Sequence, residues 1–134
     1  MPVLIGLGVA LAVAAFARIT GLDRDRAFYP VVLIVVAHYY LLFAAMGGSS
    51  QGLVLELVPF TLFVVAAAAG YRTSLWIVVT GLALHGLFDL TRQMILPGSG
   101  VPTWWPGFCL GFDLAAAAIV AGILLSRSMA AARG

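Results

Sequence analysis

Lysine is missing from this chain, and all seven of its basic residues are arginines. Charge of either sign is scarce: 9% of residues carry it, where a water-soluble domain carries about 25%. A chain this poor in charge cannot cover a soluble fold with polar surface, so lipid must cover much of it. The pI near 9.1 does not point to nucleic acid, because no basic stripe with interleaved aromatics exists. A single cysteine, Cys109, excludes an internal disulfide and leaves the compartment open. There is no Walker loop, no GxSxG, no HExxH, no CxxC and no dinucleotide fingerprint. Gly98-x-Gly100 reads as a plain turn.

What fills the chain instead is apolar: 63% of its residues are hydrophobic and the mean hydropathy is +1.13. Its 134 residues imply one domain. A membrane-spanning helix needs roughly 20 apolar residues, and five segments qualify, predicting an all-α integral membrane bundle. They run over about 2–17, 30–46, 53–70, 74–96 and 106–125. Ala15-Phe16-Ala17 has the form of a leader cleavage site, but no positive region precedes it. The first segment is therefore read as a spanning helix. Gly6, Ala10 and Ala14 on it have the spacing that lets helix backbones approach closely. Pro30 suits the first turn of the second helix. Pro59 is expected to kink the third rather than end it, and Ser74 to cap the fourth.

Arginine placement sets the expected orientation. Arg18, Arg24, Arg26, Arg72, Arg127 and Arg133 fall on one side of a five-span chain. The opposite loops, around Gly47–Gly52 and Pro97–Trp105, hold no basic residue. The positive-inside rule makes the arginine side cytoplasmic, with the N-terminus outside. Trp104 and Trp105 then mark the outer interface.

A few ionisable groups remain within the spans: Glu56, Asp89, Arg92, Asp113, His38 and His85. At about 1.5 Å per helical residue, all lie roughly 6–16 Å below the outer helix ends. His85, Asp89 and Arg92, spaced by four and three, share one helical face. Burying such groups costs about 2.5–3.5 kcal/mol each at a helix centre. Three carboxylates face one arginine. The surplus must be met by protonated histidine, protonated carboxyl or a bound cation. The convergence marks the site, with His85, Asp89 and Asp113 as its catalytic candidates. Arg92, His38, Glu56, Trp104 and Trp105 are its substrate-binding candidates.

Each residue also has an ordinary role. Arg92 can snorkel to the interface or pair with Asp89. Glu56 is shallow enough to be solvated, and His38 can bond across helices. Asp113 can bond a neighbouring Ser, Thr or Tyr, and Cys109 can simply pack. Trp104 and Trp105 can be anchors rather than a lid. His85 is harder to explain this way, because Asp89 four residues on can orient its ring.

His85-Gly86-x-x-Asp89, followed by Pro102-x-Trp104-Trp105-Pro106-x-Phe108-Cys109 and Asp113, resembles a pattern of small bacterial multi-pass membrane proteins. The resemblance spans about a quarter of the chain and implies a membrane fold in a bacterial inner membrane. It implies no activity. At the level of fold alone, the chain is similar to small helical membrane enzymes that isomerise or cyclise sterols and terpenoids with intramembrane acids.

The leading expectation is an acid/base site acting on an amphipathic or isoprenoid-like molecule from the outer leaflet. In that reading His85 or Asp113 moves protons, Asp89 orients His85, and Arg92 holds a polar head. A second expectation is a bis-His haem between His38 and His85, or a Zn, Fe or Mn site in which His38, His85, Asp89 and Asp113 are mixed N/O ligands. A third is a proton-linked transporter or an accessory subunit of a larger complex. An oligomer would form through the small faces Gly6/Ala10/Ala14 and Gly111/Ala115. Membrane lipid is the expected surrounding partner in every case.

Overall fold

The computed structural model describes residues 1–48, 50–95 and 100–133, without the side chains of 93 and 95. The chain forms α1 (Pro2–Thr20), a 3-10 turn (Leu22–Arg24), α2 (Phe28–Met46), α3 (Ser50–Arg72), α4 (Trp76–Ile95) and α5 (Trp105–Ala131). No strand occurs among the described residues. Helices α1, α2, α3 and α5 are long and apolar enough to cross a membrane. Helix α4 is not among them, because His85, Asp89, Arg92 and Gln93 dilute its apolar run.

The expected helices are present with longer ends. Helix α1 continues past Ala17 to Thr20 and stops at Gly21, whose φ of 80° is the left-handed cap a glycine supplies at least cost. Arg18 sits in that last turn and donates to Asp23 at 3.0 Å. Helix α3 begins at Ser50, three residues before the expected start, and continues through Pro59. Helix α5 runs six residues beyond Leu125, through an alanine-rich tail with nothing to stop it. Ser74 does cap α4: its Oγ accepts from the Trp76 amide at 3.4 Å. The expected end of this helix at 96 and the loop residues 97–99 lie outside the described residues, as does residue 49.

Packing makes α4 the central helix. It lies against α5 and α3, and more lightly against α2; α1 lies on α5, and α2 on α3. Its buried stripe is Val78, Leu82, His85, Asp89 and Arg92. The spacing of four, three, four and three keeps one face turned inward over its whole length. Helices α1 and α5 approach by backbone contact. A Cβ on Gly6 would strike the Phe108 carbonyl, and one on Gly111 the Val3 carbonyl. Both glycine faces expected to serve an oligomer are thus used inside the chain.

Arg26 ties two turns at one end of the bundle. Its Nε donates to the Tyr71 carbonyl at 2.6 Å and its guanidinium to the Thr73 carbonyl at 2.6 Å. These are the free carbonyls at the end of α3, where a cation is favoured by the helix dipole. Arg127 joins Arg26 and Thr73 around the same cleft. Arg92, by contrast, is buried in α4 near the opposite end.

Candidate functional site

Gly86 sets the geometry of the site. A Cβ there would lie 3.2 Å from the Asp113 Cβ and 3.4 Å from the Leu110 Cα, so α4 and α5 approach closely at this level. The close approach brings His85, one residue earlier, against Asp113. His85 Nδ1 and Asp113 Oδ2 are 2.7 Å apart, a hydrogen bond between helices. Asp89, one turn along α4, puts its Oδ2 3.8 Å from the same nitrogen. One ligand atom from each residue can be chosen so that all lie within 4.8 Å of one another. His85 is 1% exposed, and Asp89 and Asp113 are 0% exposed.

The cluster is incompletely satisfied. Among the described residues, both Asp89 oxygens, Asp113 Oδ1 and the Tyr40 hydroxyl have no hydrogen-bond partner. The Tyr40 hydroxyl and the Cys109 thiol approach the Asp89 carboxylate, yet neither reaches hydrogen-bond geometry with it. Such groups are costly to bury: an unsatisfied polar atom loses about 1–3 kcal/mol, and a charged one more. Two carboxylates therefore converge on one imidazole with acceptor capacity to spare.

Glu56 and Arg92 form a second, adjoining pair. Arg92 Nε donates to Glu56 Oε1 at 2.6 Å, and the terminal guanidinium nitrogen reaches the same oxygen. Both side chains are buried, at 3% and 4% exposure. The Arg92 guanidinium also lies 4.3 Å from the Tyr40 ring centroid, a cation–π contact. This corrects two expectations. Glu56 is buried rather than solvated, and the arginine crosses to α3 rather than pairing with Asp89 on its own helix. Arg92 is thus engaged by Glu56, and the ionisable partner of both Asp89 and Asp113 is His85. Asp113, not Asp89, makes the short bond that orients the imidazole.

The remaining candidates divide. His38 is exposed, its ring set edge-on to Phe60 at 6.0 Å, outside the cluster. The bis-His arrangement with His85 is not assembled. The cause is helical phase: Leu33, Val36, Ala37, Tyr40 and Ala44 form the buried stripe of α2, and His38 falls off it. Trp105 is buried, its ring tilted against Tyr39 at 4.8 Å and edge-on to Phe43 at 5.0 Å, whereas Trp104 is exposed. Tyr40 and Phe63 are site residues that sequence reasoning passed over. Phe63 meets the His85 ring edge-on at 4.8 Å. The signal for Tyr40 lay in the three- and four-residue spacing of its buried stripe.

Two apolar grooves flank the cluster. One of roughly 630 Å³ runs between α1, α2 and α5 and is walled at one end by Trp104, Trp105 and Cys109. Another of roughly 670 Å³ lies between α3 and α4, with Phe63 and Phe88 on its wall. Cys109 thus touches both the first groove and the carboxylate cluster. No protein-family model, curated protein or solved structure matches this chain.

Proposed function

We propose that the protein crosses a bacterial inner membrane five times, N-terminus outside and C-terminus cytoplasmic. In this reading α4 is the fifth spanning helix, carried across by its neighbours, and the His85–Asp89–Asp113 cluster sits in the outer half of the bilayer. The cluster is a proton-active site that acts on an amphipathic or isoprenoid-like lipid by acid/base chemistry. The observation that carries this reading is the short, buried His85–Asp113 bond, flanked by carboxylate oxygens without a hydrogen-bond partner among the described residues.

The roles follow from position. A proton held between Nδ1 and Oδ2 can be delivered to a substrate and recovered from it, because either group accepts it. Asp89 favours the imidazolium that forms when His85 takes a proton. The groove ending at Trp105 and Cys109 suits an apolar tail, with the reacting part of the lipid against the cluster wall. Trp104 and Trp105 are the expected entrance from the outer leaflet. Arg92, already bound to Glu56, offers its charge to a polar head only by exchange with that carboxylate.

Proton transfer to carbon leaves an isotopic trace. Purified protein in lipid vesicles is incubated with total membrane lipid in D2O, and the lipids are read by mass spectrometry. One lipid class gains deuterium or shifts to an isomer with wild-type protein. The gain falls at least 100-fold in Asp113→Asn and in His85→Ala, in line with the weight of general acid/base catalysis. A double variant that is folded and as active as wild type contradicts the reading.

A further inference from the structure

We propose that His85, Asp89 and Asp113 also form a binding site for a divalent transition-metal ion of the Zn2+, Fe2+ or Mn2+ class. The inference rests on the same cluster as the acid/base reading but not on lipid turnover.

Charge is the first argument. Glu56 and Arg92 neutralise one another. Asp89 and Asp113 bring two further negative charges into a region 0% exposed to solvent. One protonated histidine leaves the cluster a charge short of neutrality unless a carboxyl is also protonated. A divalent cation with neutral His85 balances it, and a buried charge is tolerated when it is paired or holds a metal.

Donor chemistry and geometry agree. One imidazole nitrogen with two carboxylates is a mixed N/O set, which suits Zn2+, Fe2+ and Mn2+ rather than a thiolate-seeking ion. The ligand atoms are spread over no more than 4.8 Å. Atoms bonded to one centre at about 2.0–2.2 Å lie no more than about 4.4 Å apart, so the present spread needs to close by only a few tenths of an ångström. Independently of the acidic grouping, Asp89 is fully buried with neither oxygen hydrogen-bonded, and the Tyr40 hydroxyl beside it is likewise without a partner. In a metal centre Asp89 becomes a ligand. The Tyr40 hydroxyl would then donate to the carboxylate oxygen turned away from the metal, a hydrogen bond that ligating carboxylates normally receive.

The test uses full-length protein in lipid nanodiscs, stripped with chelator and titrated with Zn2+ alone. After desalting, elemental analysis reads about one Zn2+ per chain for wild type. Asp89→Asn and Asp113→Asn each bind at least 10-fold more weakly, since each removes a charged ligand. His38→Ala, which removes the exposed histidine, binds as wild type. Thermal unfolding rises on Zn2+ addition in wild type and stays unchanged in the two asparagine variants, because only a state that binds is stabilised. The wild-type titration and melt are read on their own if either variant fails to fold. The proposal is overturned if folded wild type retains no Zn2+, if both asparagine variants bind as tightly, or if His38→Ala abolishes binding. Loss of the metal with deuterium incorporation intact removes this proposal alone; metal binding without lipid turnover removes only the other.

Discussion

Arg92 shows how a buried side chain chooses between partners. Asp89 precedes it by three residues on one face, the spacing of a helical ion pair. It bonds Glu56 on α3 instead, across the helix interface. Breaking a buried pair on one side strands the other charge, at about 3–5 kcal/mol, while replacing both with apolar groups is often neutral. Glu56→Leu and Arg92→Met should each lower unfolding free energy by about that amount, and the two combined should recover most of it. Denaturant titration in detergent measures the cycle; additive losses would mean that the two groups do not depend on one another.

The same scale shows what was legible in the sequence. His85, Asp89 and Arg92 stand on one face by spacing alone, and the structure keeps them there. Which residue across the helix interface answers each of them was not legible. That depends on the rotation of α2, α3 and α5 about their axes, and helices apolar on every side give little indication of it. His38 and Tyr40 are two residues apart and therefore point to nearly opposite faces. The choice between them was a matter of phase, and it excluded the histidine that looked more chemical.

At the level of elements, glycines decide how closely helices approach. Gly86 holds α4 against α5 beside the His85–Asp113 bond. Gly86→Val should force the two helices apart and weaken that bond, costing about 1–3 kcal/mol as overpacking does. Activity should fall more than stability does, because a displacement of 1 Å at a reacting group is expensive. Gly111→Ala meets the Val3 backbone, which cannot rotate away, and should loosen α1 from α5 without changing the site chemistry. Thermal melts of the two variants beside the deuterium assay distinguish these outcomes; equal loss of activity at equal stability in both would refute the distinction. Helix existence was readable from apolar runs. Their ends were less so: Gly21 stops α1, but no comparable signal lies near Leu125, and α5 simply continues.

For the whole molecule, the arrangement of arginines and the packing order tell a consistent story. Arg26 straps the first turn to the third, and Arg127 stands beside it, so the basic groups gather at one end. On the proposed topology that end is cytoplasmic. In a Cys109→Ala background, Thr73→Cys should resist a membrane-impermeant thiol reagent on intact cells and react after lysis, and Gly47→Cys should react at once. The reverse pattern would invert the orientation. The central helix α4 packs against three of the others and lacks the apolar run that the other four carry.

The chemistry proposed for the cluster depends on His85 being held against Asp113 in a buried interior. The chain has two histidines, so His38→Ala leaves His85 as the single imidazole. Nitrogen NMR of 15N-histidine-labelled, chelator-treated protein in lipid then reports that ring alone. The account predicts an Nδ1 proton that exchanges slowly with solvent and a resonance that moves on Asp113→Asn. A ring that exchanges freely with water, or that is unchanged by Asp113→Asn, would contradict it.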